Sequence, residues 1–142
     1  PLCLSRLPRC VLCVWMLCCE CRGDLAVIKP ADDASFDTVL LTFSLCTIPD
    51  PAAAVKEARR VLRPSGKLVF CEHGEAPDAE VARWQARVNP VWKRLFGGCN
   101  LNRNIVEIIC GYGFRLADVD HMYLPGTPRV AGFNIWGTAR PG

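Results

Sequence analysis

The stretch from Ser35 to Glu72 constrains this chain most, because two apolar runs, residues 36–45 and 67–71, flank one short amphipathic segment. The first run, Phe36 to Leu45, is rich in β-branched and aromatic residues and almost continuously apolar, as a strand covered on both faces must be. Such a strand lies inside a sheet, not at its edge. Asp50-Pro51 then supplies a side chain that can cap free amides, followed by the residue best suited to a first helical position. Beyond it, Ala54, Val55, Ala58, Val61 and Leu62 form an apolar stripe, while Lys56, Glu57, Arg59 and Arg60 are expected to face water. Arg63-Pro64-Ser65-Gly66 is expected to stop the helix before a second strand, Lys67 to Cys71. Crossovers between parallel strands are right-handed almost without exception, so the two strands should lie side by side with the helix on one face. Ligands of open α/β sheets bind beyond the carboxyl ends of the strands, which singles out Ser44 to Thr47 and Cys71, Glu72 and His73.

A chain of 142 residues, 51% of them hydrophobic, can bury one core and is far from the composition of disordered proteins. Its net charge of +3 is spread over single Arg and Lys residues, without a basic run or an aromatic platform, so nucleic acid is excluded as a partner. Cys3, Cys10, Cys13, Cys18, Cys19 and Cys21 all precede Gly23, whereas Cys46, Cys71, Cys99 and Cys110 are dispersed through strand and helix patterns. Dispersed cysteines of that kind act as small buried hydrophobes and suit a reducing, cytoplasmic setting. The early cluster has neither zinc-finger spacing nor paired histidines, so no metal set is assigned. Val11 to Cys19 follows Arg6 and Arg9 as a signal peptide's apolar core would, but it is shorter than the roughly 18 residues that a membrane span needs. Residues 1–22 are therefore left as an unassigned Cys-rich segment, open to being foreign to the domain.

Later in the chain, Pro77-Asp78 opens a helix through Glu80, Val81, Trp84, Gln85 and Val88 that Asn89-Pro90 is expected to end. Val91, Trp92, Leu95 and Phe96 can share one face of a short helical piece before Gly97-Gly98, and Trp84, Trp92 and Phe96 are read as core. Ile105, Val106, Ile108, Ile109 and Tyr112 make a third stripe closed by Gly113. Residues 114–122 and 133–139 read as strands, with a loop at 124–128 between them.

Three phrases carry a resemblance. Asp33-Ala34-Ser35-Phe36-Asp37-Thr38-Val39-Leu40, Pro49-Asp50-Pro51, and Glu57-Ala58-Arg59-Arg60-Val61-Leu62-Arg63-Pro64-Ser65-Gly66-Lys67-Leu68 together resemble the second half of class I S-adenosylmethionine-dependent methyltransferases of the type 11 family. Phe70-Cys71-Glu72-His73 and the run from Trp92 to Leu101 are similar to a narrower branch, the membrane-associated thiol methyltransferases and their bacterial relatives. The resemblance covers residues 23–142 as the C-terminal part of such a domain. It implies an α/β, Rossmann-like sheet, mostly parallel with one antiparallel terminal strand inserted beside the second strand of the opening unit. It also implies S-adenosylmethionine as cofactor and a small-molecule acceptor, thiol or lipid-like, with peripheral membrane contact an open alternative. Residues 1–23 hold no G-x-G-x-G loop, so the sheet is expected to be incomplete at its N-terminus.

Methyl transfer from a sulfonium is an in-line displacement that positioning in a dry pocket can accelerate, so no catalytic triad is required. By resemblance Asp24 contacts the cofactor's adenine, Leu25 beside it is a further cofactor contact, and Ser44, Leu45 and Cys46 contact its methionine part; Asp24 is equally read as a surface turn aspartate. Relatives often show L-H-H-V where this chain has Leu45-Cys46-Thr47-Ile48, so Cys46 is equally read as a buried small side chain. Glu72 and His73 are the catalytic candidates, His73 being able to take a proton from a thiol or hydroxyl near neutral pH. His121 is expected at the surface, and Asn100 is either a turn residue or an acceptor ligand. Two rival readings remain: a catalytically incomplete fragment that acts as an interaction module through its open sheet edge, and a metal protein built on the N-terminal cysteines.

Overall fold

A computed structural model describes residues 31–142, and residues 12–15 for their backbone alone. Five strands form one sheet in the order β1-β2-β3-β5-β4, where β1 is Leu12–Trp15, β2 Phe36–Thr42, β3 Leu62–His73, β4 Phe114–Tyr123 and β5 Phe133–Pro141. The first three run parallel, and β5 runs antiparallel to both β3 and β4. The sheet is therefore mostly parallel with one opposing strand, and that strand lies beside β3 as the resemblance implies. β2 is internal, between β1 and β3, which accounts for its nearly unbroken apolar sequence.

Helix α1, Pro51–Val61, starts where the sequence places it: Asp50 Oδ1 accepts the Ala53 amide at 2.9 Å and proline follows the cap. Its outward face differs from the expectation. Glu57 is buried, not solvated, because the Arg60 guanidinium grips both of its carboxylate oxygens, at 2.6 and 2.9 Å. The same guanidinium bonds the Ala31 carbonyl at 2.9 Å and the Asp33 carboxylate, so Arg60 fastens α1 to the segment entering β2. The expected stop at residues 63–66 is part of β3 instead. Ser35 donates to the Val61 carbonyl at 2.9 Å, which draws the chain into the sheet directly from the helix, and a bulge between Phe36 and Thr38 takes up the surplus residues.

Helix α2, Ala79–Leu95, runs through Pro90 where two pieces were expected. A proline withholds its own amide from the helix ladder and crowds the carbonyl one turn back, here that of Ala86, and buried anchors in the turns just before it offset that loss. Gln85 accepts the Ala76 amide at 2.9 Å and donates to the Gly74 carbonyl at 3.1 Å, and Asn89 accepts the Leu101 amide at 2.9 Å. Trp84 and Phe96 are each 51% exposed, so neither is a core residue, while Trp92 is half-buried and stacks on Phe96 at 3.8 Å.

The main core forms where α1 and helix α3, Ile105–Gly111, pack on the sheet, around Leu45, Val55, Val61, Phe70, Ile109 and Phe114. Asn104 caps α3, and Gly113, at φ +84°, turns the chain into β4. Between the expected loop at 124–128 and β5 lies a short helical turn, α4, Arg129–Gly132. His121 is exposed, as expected, and so is Cys110, contrary to the reading of the dispersed cysteines as buried. Among the described residues, no helix is long and apolar enough to cross a membrane.

Candidate functional site

The carboxyl ends of β2 and β3 are held level by the pairing of Thr42 with Cys71. Phe43 then takes a left-handed conformation, φ +47°, which costs a non-glycine residue of order 1 kcal/mol or more and swings the chain out of the sheet. What holds it there is the next residue of β3. Glu72 is fully buried, and its carboxylate accepts the amides of Ser44 and Leu45 on Oε1, at 2.9 and 3.0 Å, and that of Cys46 on Oε2, at 3.1 Å. Burial pushes the Glu72 carboxyl above its ordinary range, and the three amides oppose that push.

The residues read from sequence thus come together at one strand end, each in a definite place. Ser44, Leu45 and Cys46 form a buried turn whose backbone amides are spent on Glu72. His73, half-buried, ends β3, with its ring 4.9 Å from that of Phe43. Asp24 and Leu25 lie outside the described residues.

A third segment, after α2, closes on this turn, and sequence reasoning gave it little weight. Gly97 and Gly98, both at positive φ, release the chain from α2 and carry Cys99 and Asn100 inward. Asn100 donates from its backbone and its side chain to the Cys46 carbonyl, at 2.7 and 3.0 Å. Arg103 donates to the carbonyls of Leu45 and Ile48, at 2.5 and 2.7 Å, and burial lowers its pKa. Each of these bonds ties residues more than fifty positions apart. The phrase Gly97-Gly98-Cys99-Asn100 was visible as part of a resemblance, but nothing in its spacing says what it folds against.

Three soft or basic ligand atoms meet there. The Cys99 sulfur lies 3.3 Å from His73 Nδ1 and 3.8 Å from the Cys46 sulfur, and all three ligand atoms fall within 4.8 Å of one another. Cys46 also touches the Thr47 hydroxyl at 3.4 Å. The two thiols share one hydrogen bond, which lowers Cys99 to about 7 and raises Cys46, whose burial adds to the rise. The Trp92 indole further lowers Cys99, yet its buried N–H makes no hydrogen bond of ordinary geometry. Outside this cluster, burial also raises the thiol of the neighbouring Cys71.

The model of the methyltransferase domain family matches residues 11–70. The human thiol S-methyltransferase TMT1A is 32% identical over 108 residues, which cover 75% of this chain and 44% of that protein. The rat thiol S-methyltransferase TMT1B is 39% identical over 77 residues, 54% of this chain and 32% of that protein. A demethylmenaquinone methyltransferase of Mycobacterium marinum is 44% identical over 54 residues, 38% of this chain and 23% of that protein. The chain thus spans less than half the length of the curated relatives it matches. Among solved structures, a SAM-dependent methyltransferase of Methanosarcina mazei superposes with a TM-score of 0.62 at 19% identity, over 83% of this chain and 65% of that one. A geranyl diphosphate methyltransferase in complex with SAM gives 0.59 at 12% identity, over 82% and 55%. At these identities the two structures establish a shared fold.

Proposed function

We propose that this chain, whose residues 11–70 match the model of the methyltransferase domain family, takes part in S-adenosylmethionine-dependent methyl transfer to a small-molecule acceptor, a thiol or a lipid-like molecule. The observation that carries this reading is the buried Glu72 carboxylate, which fixes the Ser44-Leu45-Cys46 turn at the carboxyl ends of two parallel strands, the ligand-binding end of such sheets. S-adenosylmethionine, when bound, supplies a methyl group made electrophilic by its sulfonium. The described residues offer its methionine end a defined wall, because the turn is buried and its backbone is held by the Glu72 carboxylate on its amides and by the Arg103 guanidinium on the Leu45 carbonyl. In this reading Ser44, Leu45 and Cys46 line that end of the cofactor, and Asp24 and Leu25 line the adenine end.

The chain's own task is to orient two reactants in line and keep water out, which can supply several kcal/mol of the barrier reduction. Glu72 serves it as a positioning residue, since both of its oxygens are engaged by the turn. His73 faces the acceptor and holds the proton that a thiol or hydroxyl gives up. A thiol is the favoured acceptor because the human and rat relatives carry that activity in their names.

The test is transfer of a labelled methyl group from S-adenosylmethionine, by the full chain, to a small aliphatic thiol, a quinol and a phospholipid in parallel. Label is expected in the thiol, and His73→Ala should reduce it by roughly 10²-fold or more. A folded chain that labels none of the three contradicts the reading and leaves the sheet edge as an interaction surface.

A further inference from the structure

We propose that Cys46, His73 and Cys99 form a binding site for a borderline-soft divalent cation of the zinc class. Three segments distant in sequence deliver the ligands: Cys46 from the turn after β2, His73 from the last position of β3, and Cys99 from the loop after α2. Two of their three separations match the edges of a tetrahedral site as they stand. With Zn–S near 2.3 Å and Zn–N near 2.0–2.1 Å, the edges of a tetrahedron are about 3.8 Å between two sulfurs and about 3.6 Å between sulfur and nitrogen. The observed distances are 3.8 Å for Cys46 to Cys99 and 3.3 Å for Cys99 to His73, and Cys46 lies within 4.8 Å of His73, so an ion would draw that last pair together by up to about 1 Å, a shift within reach of a side-chain rotation.

The ligand types select the same class. Two thiolates and an imidazole favour zinc over the hard cations, and two thiolates with neutral histidine balance a divalent charge. Cys46 and Cys99 are buried while His73 is half-buried, which leaves an approach from the histidine side. The surroundings supply outer support: the Thr47 hydroxyl lies 3.4 Å from the Cys46 sulfur, and Asn100 fixes the Cys46 backbone. The buried Trp92 indole N–H, which makes no hydrogen bond of ordinary geometry, lies beside Cys99. Metal-bound thiolates, richer in acceptor capacity than thiols, would give that donor a partner. Three protein ligands leave a fourth tetrahedral position for solvent or an exogenous ligand.

A bound ion would make His73 a ligand instead of a proton acceptor, so the site is tested by a readout independent of methyl transfer. Cobalt(II) is titrated into the reduced, metal-free full chain while the visible bands of tetrahedral, thiolate-bound cobalt are followed. The N-terminal cysteines are a competing source, so a second protein carries serine at Cys3, Cys10, Cys13, Cys18, Cys19 and Cys21. The bands are expected to saturate at one equivalent in both proteins, to fall at least tenfold in Cys99→Ser and in His73→Gln, and to be displaced by zinc. His73→Gln, at a half-exposed position, guards against a folding defect in Cys99→Ser, with circular dichroism recorded on each. The proposal is overturned if a folded chain gives no tetrahedral bands. It is equally overturned if the bands survive both site variants, or if they vanish with the N-terminal cysteines alone.

Discussion

Replacing Glu72 by glutamine tests whether a buried carboxylate holds the turn after β2. In Glu72→Gln the amide oxygen can keep the Ser44 and Leu45 amides, which share Oε1, but the amide nitrogen takes the place of Oε2 and meets the Cys46 N–H donor to donor. One buried N–H is orphaned, at about 1–3 kcal/mol, and two charge-assisted bonds become neutral ones, at about 1 kcal/mol each. Removing a buried charge returns part of this, because burial already pushes Glu72 toward its neutral form. The net expectation is a loss of about 2–4 kcal/mol, a large share of the roughly 5–15 kcal/mol that stabilises a typical domain. Urea unfolding followed by circular dichroism should show the midpoint falling by about 1–2 M, for slopes of roughly 2 kcal/mol per M. Glu75→Gln, at an exposed position, serves as control and should stay within about 0.5 kcal/mol of the parent. A Glu72→Gln protein as stable as that control would refute the reasoning, since the charge would then cost as much to bury as its three bonds return.

Other perturbations follow from the same packing. Asp50→Ala removes the side-chain cap of α1 and should cost about 1 kcal/mol by urea unfolding. Gly137→Ala places a Cβ 2.2 Å from the Asp118 carbonyl at the β4 bulge, where backbone must give way. A loss of about 1–3 kcal/mol or more is expected, with faster amide exchange along β4 and β5. Gln85→Leu leaves the Ala76 amide and the Gly74 carbonyl without their side-chain partner and should cost about 2–4 kcal/mol, read by thermal unfolding. Burial and the Asp78 carboxylate raise the Tyr123 phenol above its ordinary 10.0. The folded state therefore holds that proton longer than the unfolded one, and stability should fall as pH rises from about 10 through the raised value. Tyr123→Phe should remove both the late phenolate absorbance and that part of the alkaline loss.

Local chemistry explains what the sequence makes legible. The first strand, the Asp50 cap and the Gly113 turn depend on residues within a few positions of each other, and each is found where its signals stand. The misreadings arise where a distant partner overrides a local rule. Glu57 has the polarity of a solvated face, but Arg60 neutralises it against the strand entrance. Pro90 carries a helix-stop signal, but Gln85 and Asn89, in the turns just before it, tie α2 to loops at 74–76 and 101. Trp84 and Phe96 have a core residue's composition and an exposed position, because α2 meets the rest of the chain through polar anchors. Glu72 and His73 could be placed at a strand end from topology alone, whereas Cys99 beside them could not, since its 53-residue separation from Cys46 leaves no trace in either local pattern.

The central claim, that this chain carries a cofactor site of the methyltransferase kind, is tested most directly by calorimetric titration of the full chain with S-adenosylhomocysteine, with circular dichroism confirming the fold. The account predicts saturable binding that weakens when Asp24 is changed to alanine. A folded chain that gives no binding heat and protects no amide of the Ser44-Leu45-Cys46 turn from exchange would contradict it.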